Sequence, residues 1–330
     1  VNIAVVILNW NGRSLLEQFL PSVIKNSKEA TIYLADNAST DDSVAFVTTT
    51  FPEVKIIQNK VNGGYAKGYN DALSKIDADI FCLLNSDVEV TKDWLVPILK
   101  TFKSHTEVAA IQPKILDYKK KTHFEYAGAA GGYIDKLGYP YCRGRIFDTL
   151  EEDNGQYDDT TTIFWASGAC IFIRKQVFEE VGKLDEDFFA HQEEIDLCWR
   201  VHSNGYTILY EGTSTIYHLG GATLDAMNPR KTFLNFRNNL YLLIKNVPEN
   251  NVWFLIFIRM ILDGLAAIRF ITQGKFSHFA AIFKAHISFY TNFNTFNKKR
   301  KKLLKTGKYY SLFSVVWQYF ILKRKHFDQL

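Results

Sequence analysis

The chain has 330 residues, 47% hydrophobic and 22% charged, which allows one large folded body or a body with an appendage and excludes a disordered chain. The four cysteines, Cys82, Cys142, Cys170 and Cys198, form no CxxC pair, and three sit in apolar runs. A disulfide framework and a zinc cluster are therefore not expected, and a reducing, cytoplasmic compartment is. The net charge of +4 is unevenly spread: of 39 Lys/Arg and 35 Asp/Glu, residues 251–330 hold fourteen and two, so a body of −8 carries a tail of +12.

Val1-Asn2-Ile3 runs directly into a β-branched strand, Ile3–Leu8, so no signal peptide is expected. Alternating signals follow. Helical periodicity covers Gly12–Asn26, Asp41–Phe51 with Ser39 or Thr40 as its cap, Gly64–Ile76 and Lys92–Ser104. Strand patterns cover Thr31–Ala35, Val54–Gln58, Ile80–Leu84 and Val108–Gln112. Continuous apolar strands separated by helices predict βαβ units and a mostly parallel sheet covered on both faces. From 113 to 162 glycines and tyrosines predict loops and a hairpin. Order returns with a strand over Ile163–Arg174, helices over Lys175–Val181 and Glu193–Asn204, and two short strands, Thr207–Tyr210 and Thr215–Tyr217. After Arg230 the pattern is helical over Thr232–Asn246, Val252–Ile271, Phe276–Tyr290 and Leu312–Lys323. The expected division is therefore an α/β domain over 1–230 and a helical, basic-aromatic region over 231–330.

Ligands of open α/β sheets bind beyond the carboxyl ends of the strands, where this chain collects polar residues. Asn9-Trp10-Asn11 follows the first strand, Asp36-Asn37 the second, Asn59 to Gly64 the third, and Asn85-Ser86-Asp87 the fourth. Each alone is an ordinary turn; four on one edge point to a site. Asp87 and the oxygen of Asn85 suit a hard cation, Mg²⁺ or Mn²⁺, bridging to a substrate's phosphates, and His218 could complete that site. Asn62-Gly63-Gly64-Tyr65-Ala66-Lys67-Gly68 lacks GxGxxG, so a dinucleotide site is not expected. Its small residues could admit a nucleotide, with Lys67 either on the phosphates or solvated on a helix face. Further on, Phe188-Phe189 precede Glu193, Glu194 and Asp196. Glu193 and Asp196 share a helix face and Glu194 points elsewhere. They could serve the helix dipole or, desolvated by the aromatics, supply a general base.

Together these residues resemble glycosyltransferase family 2, the inverting GT-A type, over about residues 1–240, and most closely its rhamnosyltransferase-like branch. The matching segments are Val5-Val6-Ile7-Leu8-Asn9-Trp10-Asn11, Asp36-Asn37-Ala38-Ser39-Thr40-Asp41, Asn62 to Asn70, Leu83-Leu84-Asn85-Ser86-Asp87, Ser167-Gly168-Ala169, and Glu193 to Arg200. The resemblance implies a sugar moving from a UDP- or dTDP-sugar to a hydroxyl of a saccharide or lipid-linked acceptor, in synthesis of bacterial surface polysaccharide. Asp36 would recognise the base, with Asn9 and Asn11 beside it. Asn85-Ser86-Asp87 occupies the Asp-x-Asp position, so Asp87 would hold the metal, with His218 a further contact to metal or diphosphate. Gly64 and Lys67 fall in the nucleotide-sugar site. Trp165, Ser167 and Gly168 would line the acceptor site. Glu194 would be the base of a single in-line displacement, with Glu193 and Asp196 as alternatives because Asp is usual at that position. Asn85 replaces the first acid of Asp-x-Asp. A nucleotidyltransferase and a non-catalytic membrane-associated scaffold are the competing readings.

In the tail, Arg259, Asp263 and Arg269 interrupt Val252–Ile271, so a membrane span is not expected. Aromatic-rich helices with Lys298-Lys299-Arg300-Lys301-Lys302 predict a peripheral contact with the cytoplasmic membrane face or, alternatively, an oligomerisation module. No nucleic-acid-binding module accompanies the basic run, and no nucleic-acid partner is expected.

Overall fold

A computed structural model describes residues 1–220, 228–248, 252–300 and 308–330. The strands are β1 (Ile3–Asn9), β2 (Ala30–Asp36), β3 (Lys55–Gln58), β4 (Ile80–Asn85), β5 (Val88–Val90), β6 (Val108–Asp117), β7 (Gly132–Ile134), β8 (Pro140–Cys142), β9 (Arg145–Ile146), β10 (Thr149–Leu150), β11 (Thr160–Thr162), β12 (Cys170–Arg174) and β13 (Thr207–His218). The helices are α1 (Arg13–Asn26), α2 (Ser43–Thr50), α3 (Gly64–Leu73), α4 (Leu95–Ser104), α5 (Lys175–Glu180), α6 (Glu193–Ser203), α7 (Pro229–Asn246), α8 (Val252–Thr272) and α9 (Phe276–Arg300).

The main sheet runs β11-β13-β6-β12-β4-β1-β2-β3, with β5 on β13. From β4 to β3 it is parallel, as is the long β13–β6 ladder, and β12 enters antiparallel between β4 and β6. Alternation along β1 sends Ala4 and Val6 to one apolar cluster and Ile3, Val5 and Ile7 to another, one on each face of the sheet. The first cluster continues into Tyr241, Phe289 and Phe296, so the expected boundary near residue 230 falls inside a shared core.

Three departures from the expected elements matter for the site. The strand expected from Ile163 starts only at Cys170, because the Ser167 carbonyl accepts from Cys170 N and its hydroxyl from Ala169 N, curling the chain into a turn. Because β12 is antiparallel, with Cys170 opposite Leu84, that turn lies at the carboxyl edge of β4. The two short strands expected after Thr207 are one strand with a bulge between Glu211 and Thr215. Gly212 is pressed there against the Tyr157 carbonyl, where an added Cβ would lie 2.4 Å from the oxygen. Residues 113–162, expected as loops and a hairpin, extend β6 to Asp117 and form a four-stranded sheet, β10-β9-β8-β7.

The tail helices are bound to the body by buried polar groups as well as by apolar contacts. Asn228 caps α7 by accepting from Arg230 N at 2.9 Å, with Pro229 as its first residue. Lys245 of α7 pairs with Asp196 and Asp185, and Lys299 of α9 with Asp185 and Asp187. Arg259 and Asp263, expected as interruptions of an apolar helix, are a buried ion pair at 2.8 Å turned toward the protein. The basic run is likewise partly internal: Lys299 is paired, and Arg300 donates to the Ile244 and Val247 carbonyls. Lys301 and Lys302 lie outside the described residues. Among the described residues no helix is long and apolar enough to cross a membrane. The helix expected over Leu312–Lys323 is confined to one π-turn, Trp317–Ile321.

Candidate active site

The carboxyl ends of β2, β1 and β4 stand side by side, with Asp36 opposite Asn9 and Leu8 opposite Asn85. Strand spacing puts Asp36 and Asn85 about 10 Å apart across the rim. Asn9 Nδ2 donates to Asp36 Oδ1 at 3.3 Å and to Ser39 Oγ at 3.1 Å, and Ser39 N donates to Asp36 Oδ2 at 3.1 Å. Asn11, with φ +51°, donates its N–H to Ser39 Oγ at 2.9 Å and accepts from Thr40 N at 2.7 Å. Asn9 and Asn11 therefore brace the loop that fixes the Asp36 carboxylate.

The third strand's loop leads into α3 at Gly64. Gly64 has φ +78°, and an added Cβ would lie 2.5 Å from the Phe189 carbonyl oxygen, which accepts from Tyr65 N at 2.9 Å. The space that glycine opens is filled by the protein's own loop. Lys67 pairs with Asp71 at 3.0 Å and approaches Glu186 at 3.8 Å, so its ammonium is occupied on the helix face.

At the end of β4, Ser86 turns the chain into β5 and Asp87 is nearly buried. The end of β13 meets it: Leu219 N donates to the Asp87 carbonyl at 3.0 Å, and His218 Nε2 lies 3.1 Å from Asp87 Oδ1 and 3.4 Å from Asn85 Nδ2. On the ring's other side, Nδ1 lies 3.3 Å from Glu125 Oε2. Burial would lower the pKa of His218, but Asp87 and Glu125 outweigh it and raise it to about 10. Glu125 had no sequence signal beyond being the sole acid between Asp117 and Asp135.

Among the described residues no three acidic, histidine or cysteine side chains are grouped to cage a metal by themselves. Asp87 and His218 nevertheless fit two ligands of one octahedral cation, because cis ligands at roughly 2.1 Å lie about 3 Å apart. A cation of this kind usually takes its remaining ligands from substrate phosphates and water. As it stands the imidazolium is paired with Asp87 and Glu125; a cation would have to displace the Nε2 proton, and Glu125 beside Nδ1 would then hold the remaining N–H.

The turn after residue 166 links this pair to the acids of α6. Asn85 N donates to the Ala169 carbonyl at 3.0 Å, and Tyr65 Oη donates to the Gly168 carbonyl at 2.7 Å. A Cβ on Gly168 would lie 3.8 Å from Glu194 Cδ, so Gly168 and Glu194 are neighbours. Trp165 and Ser167 are buried behind them: Trp165 Nε1 donates to the Tyr133 carbonyl at 2.8 Å, and Ser167 Oγ donates to that of Ala127.

The three carboxylates of α6 occupy three different settings. Asp196 is fully buried, with Arg200, Lys245 and Asn246 on its oxygens. Burial opposes its charge but those cations hold its pKa below the ordinary value. Glu193 is buried, with Oε2 lacking a hydrogen-bond partner among the described residues. Burial, then the charge of Glu194, push its pKa well up. Glu194 is partly open to solvent, and burial of the rest of the group raises it to about 7. Only Glu194 is therefore both accessible and able to exchange a proton near neutrality. Asp196→Ala is expected to lose about 3 kcal/mol of stability, read from denaturant unfolding, because it takes from buried Arg200 its only carboxylate among the described residues and from Lys245 one of two.

Phe189, His191 and Gln192, just before these acids, all have positive φ, at 66°, 71° and 71°. Such backbone persists only where its surroundings over-determine it. Here Asn238 Nδ2 of α7 donates to the carbonyls of Phe188, Ala190 and His191 at 3.0, 2.9 and 2.7 Å. The sequence carried no sign of this clamp.

The family model described as glycosyl transferase family 2 matches residues 4–182. The chain is 23% identical over 284 residues to an N-acetylglucosaminyl-diphospho-decaprenol L-rhamnosyltransferase of Mycobacterium tuberculosis, covering 80% of this chain and 90% of that one. Its fold is similar to that of a mannosyltransferase from Pyrobaculum calidifontis solved in complex with GDP-Man and Mn²⁺, with TM-score 0.54, 13% identity, and 91% and 84% of the two chains covered. It is also similar to GalNAc-T7 solved with UDP, GalNAc and Mn²⁺, with TM-score 0.58 and 17% identity over 76% of this chain and about half, 48%, of the other.

Proposed function

Since the chain belongs to glycosyl transferase family 2 and has the GT-A fold, we propose that it moves a sugar from a UDP- or dTDP-sugar to a hydroxyl of a saccharide or lipid-linked acceptor, with inversion. The product would enter a bacterial surface polysaccharide, and a lipid-linked acceptor would be met at the cytoplasmic membrane face. The observation that carries this reading is the gathering of Asp36, the Asp87–His218 pair and Glu194 around one sheet edge.

Asp36, oriented by Asn9 and Ser39, presents a carboxylate to an N–H of the base. Asp87 and His218 would hold Mg²⁺ or Mn²⁺, which when bound neutralises charge on the leaving nucleoside diphosphate. Asn85 offers its amide to the sugar or ribose. Glu194 takes the proton of the acceptor hydroxyl, whose oxygen attacks the anomeric carbon opposite the departing diphosphate; the new C–O bond forms as the old one breaks. Gly168, with no side chain, lets the Tyr65 hydroxyl close on it beside Glu194, and Trp165, Ser167 and Gly168 would back the acceptor. A nucleotidyltransferase is not favoured, because Asn9-Trp10-Asn11-Gly12-Arg13 forms no basic phosphate loop. A scaffold is not favoured, because Glu194 keeps the environment of a base.

A panel of UDP-, dTDP- and GDP-sugars, each with and without Mn²⁺ or Mg²⁺, tests the reading. One donor at a hundredfold excess over its Kd is expected to raise the melting temperature by roughly 5 °C, and only with a cation. Stabilisation by none of them would overturn it. The rate should also depend on pH with an acid limb. Below about pH 7 the proton-accepting form of Glu194 is depleted, so turnover falls by about tenfold per unit. A rate flat from pH 5 to 8 would assign the proton to another group.

A further inference from the structure

Of 21 exposed large hydrophobic side chains among the described residues, sixteen belong to α8, α9 and the segment after residue 308. Along α8 they recur as Phe254, Phe257, Ile261, Leu265 and Ile268, and along α9 as Phe276, Phe279, Phe283, Ile287 and Tyr290. Spacings of three and four place each set on one helix face. The two helices pack against each other, and contacts at the seam join their outer faces. Tyr290 Oη reaches Met260 Sδ at 3.2 Å, and the Trp253 and Phe293 rings lie 5.3 Å apart. Arg269 at the end of α8 lies over the Phe320 ring, bringing exposed Trp317 and Ile321 to the same end. Contiguous apolar surface on this scale marks a contact with something else.

We infer that this face docks on the surface of an anionic lipid bilayer. Charge selects that occupant. Residues 252–327 contain one acid, Asp263, and it is buried in its ion pair with Arg259. The exposed charges of α8, α9 and the segment after residue 307 are positive at Arg269, Lys284, Lys298, Lys308 and the run Lys323-Arg324-Lys325, against one exposed acid, Asp328. A second copy would bring these cations toward their equals with Asp328 as the one exposed acid of the same region to offset them. Anionic headgroups supply the missing charge, and the acyl boundary takes the aromatic side chains. Neither helix is apolar enough to cross, which leaves the pair lying on the surface. The same helices pack on α7, whose Asn238 clamps the loop before Glu194, so a docked face holds the catalytic edge close to the bilayer.

Flotation of the full chain with vesicles tests this without any sugar present, so its outcome is separate from that of the transferase reading. The chain is expected to float with vesicles containing phosphatidylglycerol and far less with phosphatidylcholine alone. Lys323→Gln/Arg324→Gln/Lys325→Gln should weaken partitioning by roughly a hundredfold. Phe257→Glu/Phe283→Glu should abolish it, with melting temperature unchanged because both side chains already face solvent. No flotation, equal flotation of the variants, or a dimer that Phe257→Glu/Phe283→Glu dissolves without any vesicle binding would each overturn the inference.

Discussion

Glu194→Gln is expected to lower turnover by about 10²–10⁴-fold while donor affinity stays near native. The amide keeps the shape and helix position of the glutamate but cannot accept the hydroxyl proton. Gly168 and Tyr65 beside it are held by the Tyr65 Oη–Gly168 carbonyl and Tyr65 N–Phe189 carbonyl hydrogen bonds, which do not involve Glu194, so the local structure should survive the change. Glu193→Gln is the matched control. Burial already favours the protonated form of Glu193, and an amide resembles a protonated acid, so less than about a tenfold loss is expected. Steady-state kinetics with a donor from the panel, and melting temperatures of both variants, decide the matter. Near-native turnover in Glu194→Gln, or an equal loss in Glu193→Gln, would remove Glu194 from the role of base.

Asp87→Ala should act on the other half of the reaction. It removes one of the two groups fitted to a cation and leaves His218 with Glu125 alone. Loss of a single group stabilising transition-state charge typically lowers kcat by about 10²–10³-fold, and the cation-dependent rise in melting temperature should vanish with it. Asp36→Asn provides the contrast, since it alters base recognition and leaves the cation pair intact. Its donor should bind more weakly while Mn²⁺ binding, followed by the paramagnetic signal of the free ion, stays unchanged. Retention of cation-dependent stabilisation in Asp87→Ala would show that the ion, if one is used, is held elsewhere.

Much of the site was legible because it sits at strand ends. An apolar run that stops at a polar residue marks both the strand and the rim where ligands bind, which is why Asp36, Asn85 and Asp87 stand out in the sequence alone. Residues whose roles depend on distant partners were not legible in this way. Glu125 meets His218 across 93 positions, and Asn238 meets its three carbonyls across nearly fifty. Gly64 and Lys67 look alike in sequence as small and basic neighbours of a phosphate. In the structure one makes room for Phe189 and the other answers Asp71 and Glu186.

The tail divides in the same way. Its hydropathy and charge alone determined that it would be helical, aromatic and basic. Which charges face inward was decided only by packing: Arg259 and Asp263 satisfy each other in the interior, and Lys299 turns back to Asp185. Similarly, local pattern by itself determined the alternating strands and helices of the first hundred residues and the group of three acids on α6. Tertiary structure alone set those acids apart, surrounding Asp196 with cations, isolating Glu193 and leaving Glu194 partly open to solvent. Secondary structure follows from neighbours along the chain, whereas the ionisation and reach of a carboxylate follow from the dielectric and charges around it, and those are assembled only when remote segments meet.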